Sequence, residues 1–241
     1  IRYRAEHTDI GLILQQGTLL VDTAALTDAC AQYLAERPER AKQEADWLCQ
    51  HDVAAALCDM PLWSISACEQ AGVPLLYVGN FTWTELYREF LPEHIWEAYA
   101  AEYRKIRHGM LYALHNPEML EFLSQAELSE TSLVARPFHP DEIQAIRARH
   151  TCPVVFVALG MSAQFTQPVS VEGVEAHFYV TEGVPLTGSN VTVIPYSTLH
   201  TQDYVAAADY VITKAGWGTV AECLLAQKPM ALFARDSVLE D

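Results

Sequence analysis

The stretch Thr213-Lys214-Ala215-Gly216-Trp217-Gly218-Thr219-Val220-Ala221-Glu222 concentrates residue types that can hold a phosphate. An apolar run stops at Lys214, a glycine turn follows, and a helix is expected from about Thr219. The first amides of a helix have no intrahelical partner and sit at the positive end of its dipole, so they can hold an anion. Gly216 and Gly218 let the backbone approach that anion without a Cβ in the way. Lys214 supplies a cation just before the turn. The Thr219 hydroxyl can donate to a phosphate oxygen, and Glu222 is spaced to reach a ribose diol. A plainer role fits the same residues: Thr219 and Glu222 stand at the T-x-x-E spacing of a capping box.

Asp59 and Asn80 each follow a short apolar run, Val53–Cys58 and Val73–Val78. If those runs are parallel strands, both residues stand at the sheet edge where ligands bind. Asp59 can then act as a general base for an acceptor hydroxyl, with Asn80 and Trp83 lining the acceptor site. The plainer readings are an N-cap role for Asp59 on a helix opening near Pro61, and a packed helix-start aromatic for Trp83. The nine histidines include no two-His helical ligand pair, although His200 precedes a helix near the phosphate-type turn. The six cysteines include no CxxC spacing, which points to buried free thiols in a reducing, cytoplasmic setting. No metal site and no cofactor are expected.

The elements that must position these residues read as α/β. In the first half, apolar run, helix (Pro61 to Gln70) and second apolar run form a βαβ unit, with Gly72 ending the helix. Thr27 to Gln50 reads as two helices divided at Pro38. Thr84 to Leu128 is helical in composition, and Trp96, Tyr99, Tyr103, Ile106 and Met110 form an apolar stripe read as core. Pro137 and Pro140 favour an extended break, and a short helix opens at Asp141. The expected organisation is a first domain over 1–135, a linker over 136–150 and a second domain over 151–241. In the second domain, apolar runs at 153–159, 176–180, 191–194, 210–213 and 230–233 read as strands. Only about a dozen residues link Ser162 to Ala176, near the minimum for a parallel crossover, so a helix there is short or absent, or residues are missing.

Lys and Arg number 15 against 31 Asp and Glu, a formal charge of −16. That excludes a general nucleic-acid binder, which needs a basic face, and a polybasic membrane anchor. No run of apolar residues is long enough to span a membrane, while peripheral membrane contact is left open. A locally positive pocket for an anionic ligand remains compatible with the overall charge.

The stretch 213–222 resembles the donor-binding motif of glycosyltransferases with the GT-B fold. It is close to the G-x-G-T-x-x-E of the MurG-like group, and it parallels the H-C-G-W-N-S-x-x-E core of UDP-glycosyltransferases that modify small molecules. In the latter, Gly216, Trp217, Thr219 and Glu222 fall on the glycine, tryptophan, serine and glutamate. Lys214 falls on the phosphate-binding histidine, and Gly218 replaces the asparagine. Ala226-Gln227-Lys228-Pro229-Met230 resembles the continuation in both. Val191 to Tyr196, followed by Asp203 to Asp209, resembles the preceding N-V-x-V-x-P…aaaD segment. There the family's backbone faces the uracil base, at positions corresponding to Val193, Ile194 and Tyr196. The base-stacking tryptophan of the small-molecule enzymes is missing, which favours the MurG-like side. Gly160 and Ser162 fall on a glycine-serine turn near the diphosphate, with Met161 in place of a small residue. The first half is similar to MurG-like glycosyltransferases related to the N-terminal module of arabinokinases, through Asp9–Gln15, Asp22–Thr27, Cys58-Asp59-Met60-Pro61 and Asn80-Phe81-Thr82-Trp83-Thr84-Glu85-Leu86-Tyr87.

The resemblance implies two Rossmann-like domains of the GT-B type, both incomplete at the chain ends. The family's first strand with its glycine-histidine loop, and the closing helices, are not in the sequence. It implies transfer of a sugar from a nucleotide-diphosphate sugar, a UDP-sugar, to an unknown acceptor by direct displacement in an interdomain cleft. Its donor residues would be Gly160, Ser162, Ile194, Tyr196, Lys214, Gly216, Gly218, Thr219 and Glu222. The alternatives are a nucleotide-sugar hydrolase on the same scaffold and a non-catalytic nucleotide-sugar-binding module of a larger protein.

Overall fold

The computed structural model describes residues 4, 8–15, 18, 20–159 and 167–233. Contacts divide the chain into two units, Ile1–Ile13 with Val21–Ser132, and Leu14–Leu20 with Leu133–Asp241.

Unit 1 contains α1 (Thr23–Gln50), β1 (Ala56–Cys58), α2 (Leu62–Ala71), β2 (Leu75–Gly79), α3 (Trp83–Arg88), α4 (Glu93–Tyr103), β3 (His108–Leu111), α5 (Met119–Phe122) and β4 (Glu127–Glu130). The four strands pair in the order β1-β2-β3-β4, all parallel. The βαβ unit expected around Asp59 is present, and Gly72 ends α2 in the left-handed conformation at φ 67°. Two expectations are corrected. Pro38 does not divide two helices, because α1 runs through it. Pro38 is exposed, so water can serve the carbonyl that loses its amide partner, and α1 buries side chains on both sides of it, Tyr33 before and Ala41 after. The stretch 84–128 is not mostly helical: it holds the strand β3 and the start of β4. The apolar stripe leaves its helix after Tyr103, so Ile106 is buried beyond α4 and Met110 lies on β3. Tyr77, Tyr87, Tyr99 and Tyr103 are among the largest fully buried side chains of this unit.

Unit 2 contains α6 (Pro140–Arg147), β5 (Val154–Ala158), β6 (Val169–Ser170), β7 (His177–Thr181), β8 (Leu186–Thr187), β9 (Val191–Ile194), α7 (Thr201–Ala207), β10 (Tyr210–Lys214), α8 (Trp217–Leu225) and β11 (Met230–Phe233). The main sheet is parallel throughout, in the order β11-β10-β5-β7-β9. β5 is buried on both faces, as its unbroken apolar run requires. Val154 and Phe156 pack into one core with Ile146, Tyr179, Val205, Val211 and Cys223, while Val155 and Val157 pack into the other with Phe178 and Val180. The short connection from β5 to β7 carries no helix among its described residues; β6 lies there and pairs with β8. Residues 136–150 pack within unit 2, with Ile146 of α6 in its core. No helix among the described residues is long and apolar enough to cross a membrane.

Candidate functional site

From β5 the chain moves outward through β7 to β9, then returns to the other side of β5 to form β10. The strand order therefore reverses between β5 and β10, and the crevice at the carboxyl ends of those strands is where open α/β sheets bind ligands. Ala158 of β5 pairs with Thr213 of β10, so the turn after Lys214 opens at that reversal.

The turn passes directly into α8. Gly216 is the N-cap, at φ −71° and ψ 129°, and no side chain caps the helix. The helix therefore starts at Trp217, two residues earlier than its sequence suggests. Thr219 is its third residue and Glu222 its sixth, so they form no capping box. The first intrahelical bond runs from the Val220 amide to the Gly216 carbonyl, 3.2 Å. The amides of Gly218 and Thr219 precede it and face the end of the helix. A Cβ added to Gly218 would meet nothing within 4 Å. Lys214 is half-buried and folds back over Gly216. Backbone donors, open space and a cation thus meet at one helix start, an arrangement suited to phosphate.

Glu222 is buried, at 7% exposure, on the inward side of α8. Its Oε1 accepts from Arg136 Nε at 3.0 Å and Nη2 at 2.9 Å. Arg136 also donates from Nη1 to the Leu199 carbonyl, 3.1 Å, and from Nη2 to Thr201 Oγ1, 2.9 Å. The neighbouring segment is tied down as well. Asp203 Oδ1 accepts the His139 amide at 2.9 Å, and Asp203 Oδ2 lies 2.8 Å from His139 Nδ1. His200 meets the His139 ring edge-on, with centroids 4.6 Å apart. Gln202 Nε2 donates to the Pro137 carbonyl, 2.9 Å.

Ile194 takes its side chain into the core, at 3% exposure, and its carbonyl accepts the Glu182 amide at 3.1 Å. Its side chain therefore has no place in the site. Tyr196 is exposed, and its amide donates to Glu182 Oε2, 2.8 Å. Gly160 and Ser162 lie outside the described residues, as does Met161.

In unit 1, Asp59 and Asn80 follow β1 and β2 at the carboxyl edge of their sheet. Asp59 does not cap α2; the cap position is Pro61, with no side-chain bond. Between them Met60 adopts φ 84°, a left-handed conformation costing roughly 1–2 kcal/mol for a residue with a side chain. The Tyr103 hydroxyl holds it by donating to the Met60 carbonyl, 2.9 Å. Asp59 itself is exposed. Partial desolvation of its carboxyl raises its pKa above the usual carboxylate value, and the charge of Asp9 adds to the effect. The Asn80 carbonyl accepts the Asn116 amide at 2.6 Å. Trp83 stacks on Tyr87 and meets Phe81 edge-on, both at 5.2 Å, which suits the packed-aromatic role. Its indole Nε1 is buried without a hydrogen-bond partner among the described residues. Beside it, Glu85 closes a capping box on Thr82 and is fully buried, and burial pushes its carboxyl up to about 7.

Residues 150–241 match the glycosyltransferase family 28 C-terminal domain. Among solved structures, Glycyrrhiza uralensis UGT73P12, complexed with glycyrrhetinic acid 3-O-monoglucuronide, aligns over 94% of this chain and 64% of its own, at TM-score 0.54 and 14% identity. Arabidopsis thaliana UGT89C1, complexed with UDP-L-rhamnose, aligns over 97% and 64%, at TM-score 0.53 and 14% identity. The glycotransferase of kitacinnamycin aligns over 92% and 68%, at TM-score 0.50 and 16% identity. The fold is that of the GT-B glycosyltransferases. No curated protein sequence matches the chain. The chain spans less than two thirds of the length of either plant protein.

On this GT-B scaffold the structure brings Lys214, Gly216, Gly218 and Thr219 to one helix start, with Glu222 lower on the same helix. It adds Arg136, which sequence reasoning passed over as part of a proline-rich break. The one local signal was a cation immediately before Pro137, a position that proline holds extended. Its partner lies 86 residues away.

Proposed function

We propose that this protein is a glycosyltransferase that moves a sugar from a UDP-sugar to an acceptor by direct displacement at the anomeric carbon. The observation that carries the reading is the 214–219 turn, which starts α8 at the reversal between β5 and β10. The α8 amides and Lys214 take the diphosphate and stabilise it as it leaves. Glu222 takes the ribose diol, and the edge near Tyr196 takes the base. A protein of the same fold carries UDP-L-rhamnose in its solved structure, which supports a UDP-linked donor. On unit 1, Asp59 removes the acceptor proton. Its raised pKa suits a base that must take up a proton during the reaction.

A thermal-shift panel of nucleoside diphosphates and nucleotide sugars on the full-length protein tests the reading. A ligand at 100 times its dissociation constant adds about 2.7 kcal/mol, which for a chain of this size raises the melting temperature by roughly 5–10 °C. UDP and UDP-sugars are expected to give that shift. Equal indifference to every nucleotide would remove the donor site.

A further inference from the structure

We propose that Arg136 is the positioning residue for Glu222, fixing which of its two carboxylate oxygens receives the nucleotide's ribose. The inference rests on the nucleotide-site reading above. Arg136 donates to Glu222 from both Nε and Nη2, and both bonds land on Oε1. Two donors use both lone pairs of that oxygen. Oε2 receives no hydrogen bond from the described residues, so it is the oxygen left to accept the 2′- and 3′-hydroxyls.

The guanidinium is held independently of Glu222. Nη1 bonds the Leu199 carbonyl and Nη2 the Thr201 hydroxyl, both at the start of α7. The backbone around it is pinned by Gln202 on the Pro137 carbonyl and by Asp203 on the His139 amide. Pro137 also restricts residue 136 to extended backbone. The donor fork is thus rigid before the ligand arrives, and a carboxylate bound to it by charge-assisted bonds cannot turn. Without the fork, the Glu222 side chain can rotate, and a ribose would have to order it at the moment of binding.

The test compares UDP with 2′-deoxy-UDP by calorimetric titration of the full-length wild type, Arg136→Ala and Arg136→Lys. The wild type is expected to prefer UDP by about tenfold or more, the worth of a hydrogen bond to a charged group. Arg136→Ala should bring the two nucleotides within about twofold, with the larger loss falling on UDP because 2′-deoxy-UDP keeps only the 3′-hydroxyl contact, and Arg136→Lys should restore part of the preference. Arg136→Ala that keeps the full preference, or that weakens both nucleotides equally, overturns the positioning role. A wild type that binds neither nucleotide overturns the nucleotide-site reading itself, and this inference with it. Should Arg136→Ala fail to fold, Arg136→Gln carries the same comparison, and an undiminished UDP preference there overturns the proposal.

Discussion

A Cβ built on Gly216 would stand 3.1 Å from Lys214 Cε and 3.6 Å from its Nζ, so the lysine chain lies folded across its own turn. The cation is thereby held over the N-cap of α8, where the helix amides begin. Gly216→Ala needs no unusual backbone angle, because φ is −71°. It forces the lysine outward by a few tenths of an ångström and sets a methyl group beside the amides. The expected outcome is UDP affinity lowered several-fold, with stability reduced by no more than about 1 kcal/mol. Paired UDP titration and thermal melting check this. Unchanged affinity would separate the Lys214–Gly216 contact from nucleotide binding.

Asp59→Asn keeps the size of the side chain and removes its basicity. Turnover of a UDP-sugar with a competent acceptor should fall by about 10²-fold or more, the usual range for losing a general base. UDP affinity should not change, since the nucleotide residues all belong to unit 2. In the wild type, the rate should rise with pH through a limb set above that of a free aspartate, because desolvation and Asp9 both raise this group. A mutant with unaltered turnover would move the base elsewhere.

Glu85 gives the fold a pH dependence of its own. Its native pKa is about 7, against a usual 4.5, with burial the leading cause. The native state therefore binds more protons than the unfolded chain between those values. Its contribution is full below about pH 4.5 and is lost as pH rises through about 7, a change on the order of 3 kcal/mol. Glu85→Gln can keep the bond from the Thr82 amide without the charge. Its melting temperature should gain on the wild type steadily from pH 4.5 to 8. Parallel curves would show that Glu85 does not titrate in this window.

What the sequence disclosed, and what it hid, follows from where each signal resides. β1, β2, β5, β7, β9, β10 and β11 all sit within apolar runs bounded by turn residues, so they were readable locally. β3 and β4 are His-Gly-Met-Leu and Glu-Leu-Ser-Glu, four residues each: Met110 of β3 stands at helical spacing from Tyr103 and Ile106, and β4 has a single apolar residue. Their pairing depends on packing: a Cβ on Gly109 would stand 2.7 Å from Leu128 Cδ2. The turn of residues 214–219 was legible because glycine and lysine act where they stand in the chain. The start of α8 was misplaced because Thr219 looks like a cap, whereas Gly216 serves as one with its backbone alone. Ile194 sits beside the exposed Tyr196 edge in sequence, but strand alternation turns its side chain inward. Arg136 acts across 86 residues, and no local pattern announces that.

Gly218 offers the most direct test of the nucleotide site. A Cβ there meets nothing in the protein, φ is unremarkable, and alanine is the better helix former by up to about 1 kcal/mol. The only cost of a methyl group should fall on whatever approaches the helix start. Calorimetric titration of UDP into the wild type and Gly218→Ala, both as full-length protein, is the decisive measurement. The expected result is saturable 1:1 binding to the wild type and affinity about tenfold weaker in Gly218→Ala, a loss of roughly 1.4 kcal/mol in a variant at least as stable as its parent. Absence of binding to the wild type, or equal affinity in the two proteins, would contradict the placing of a diphosphate at the start of α8.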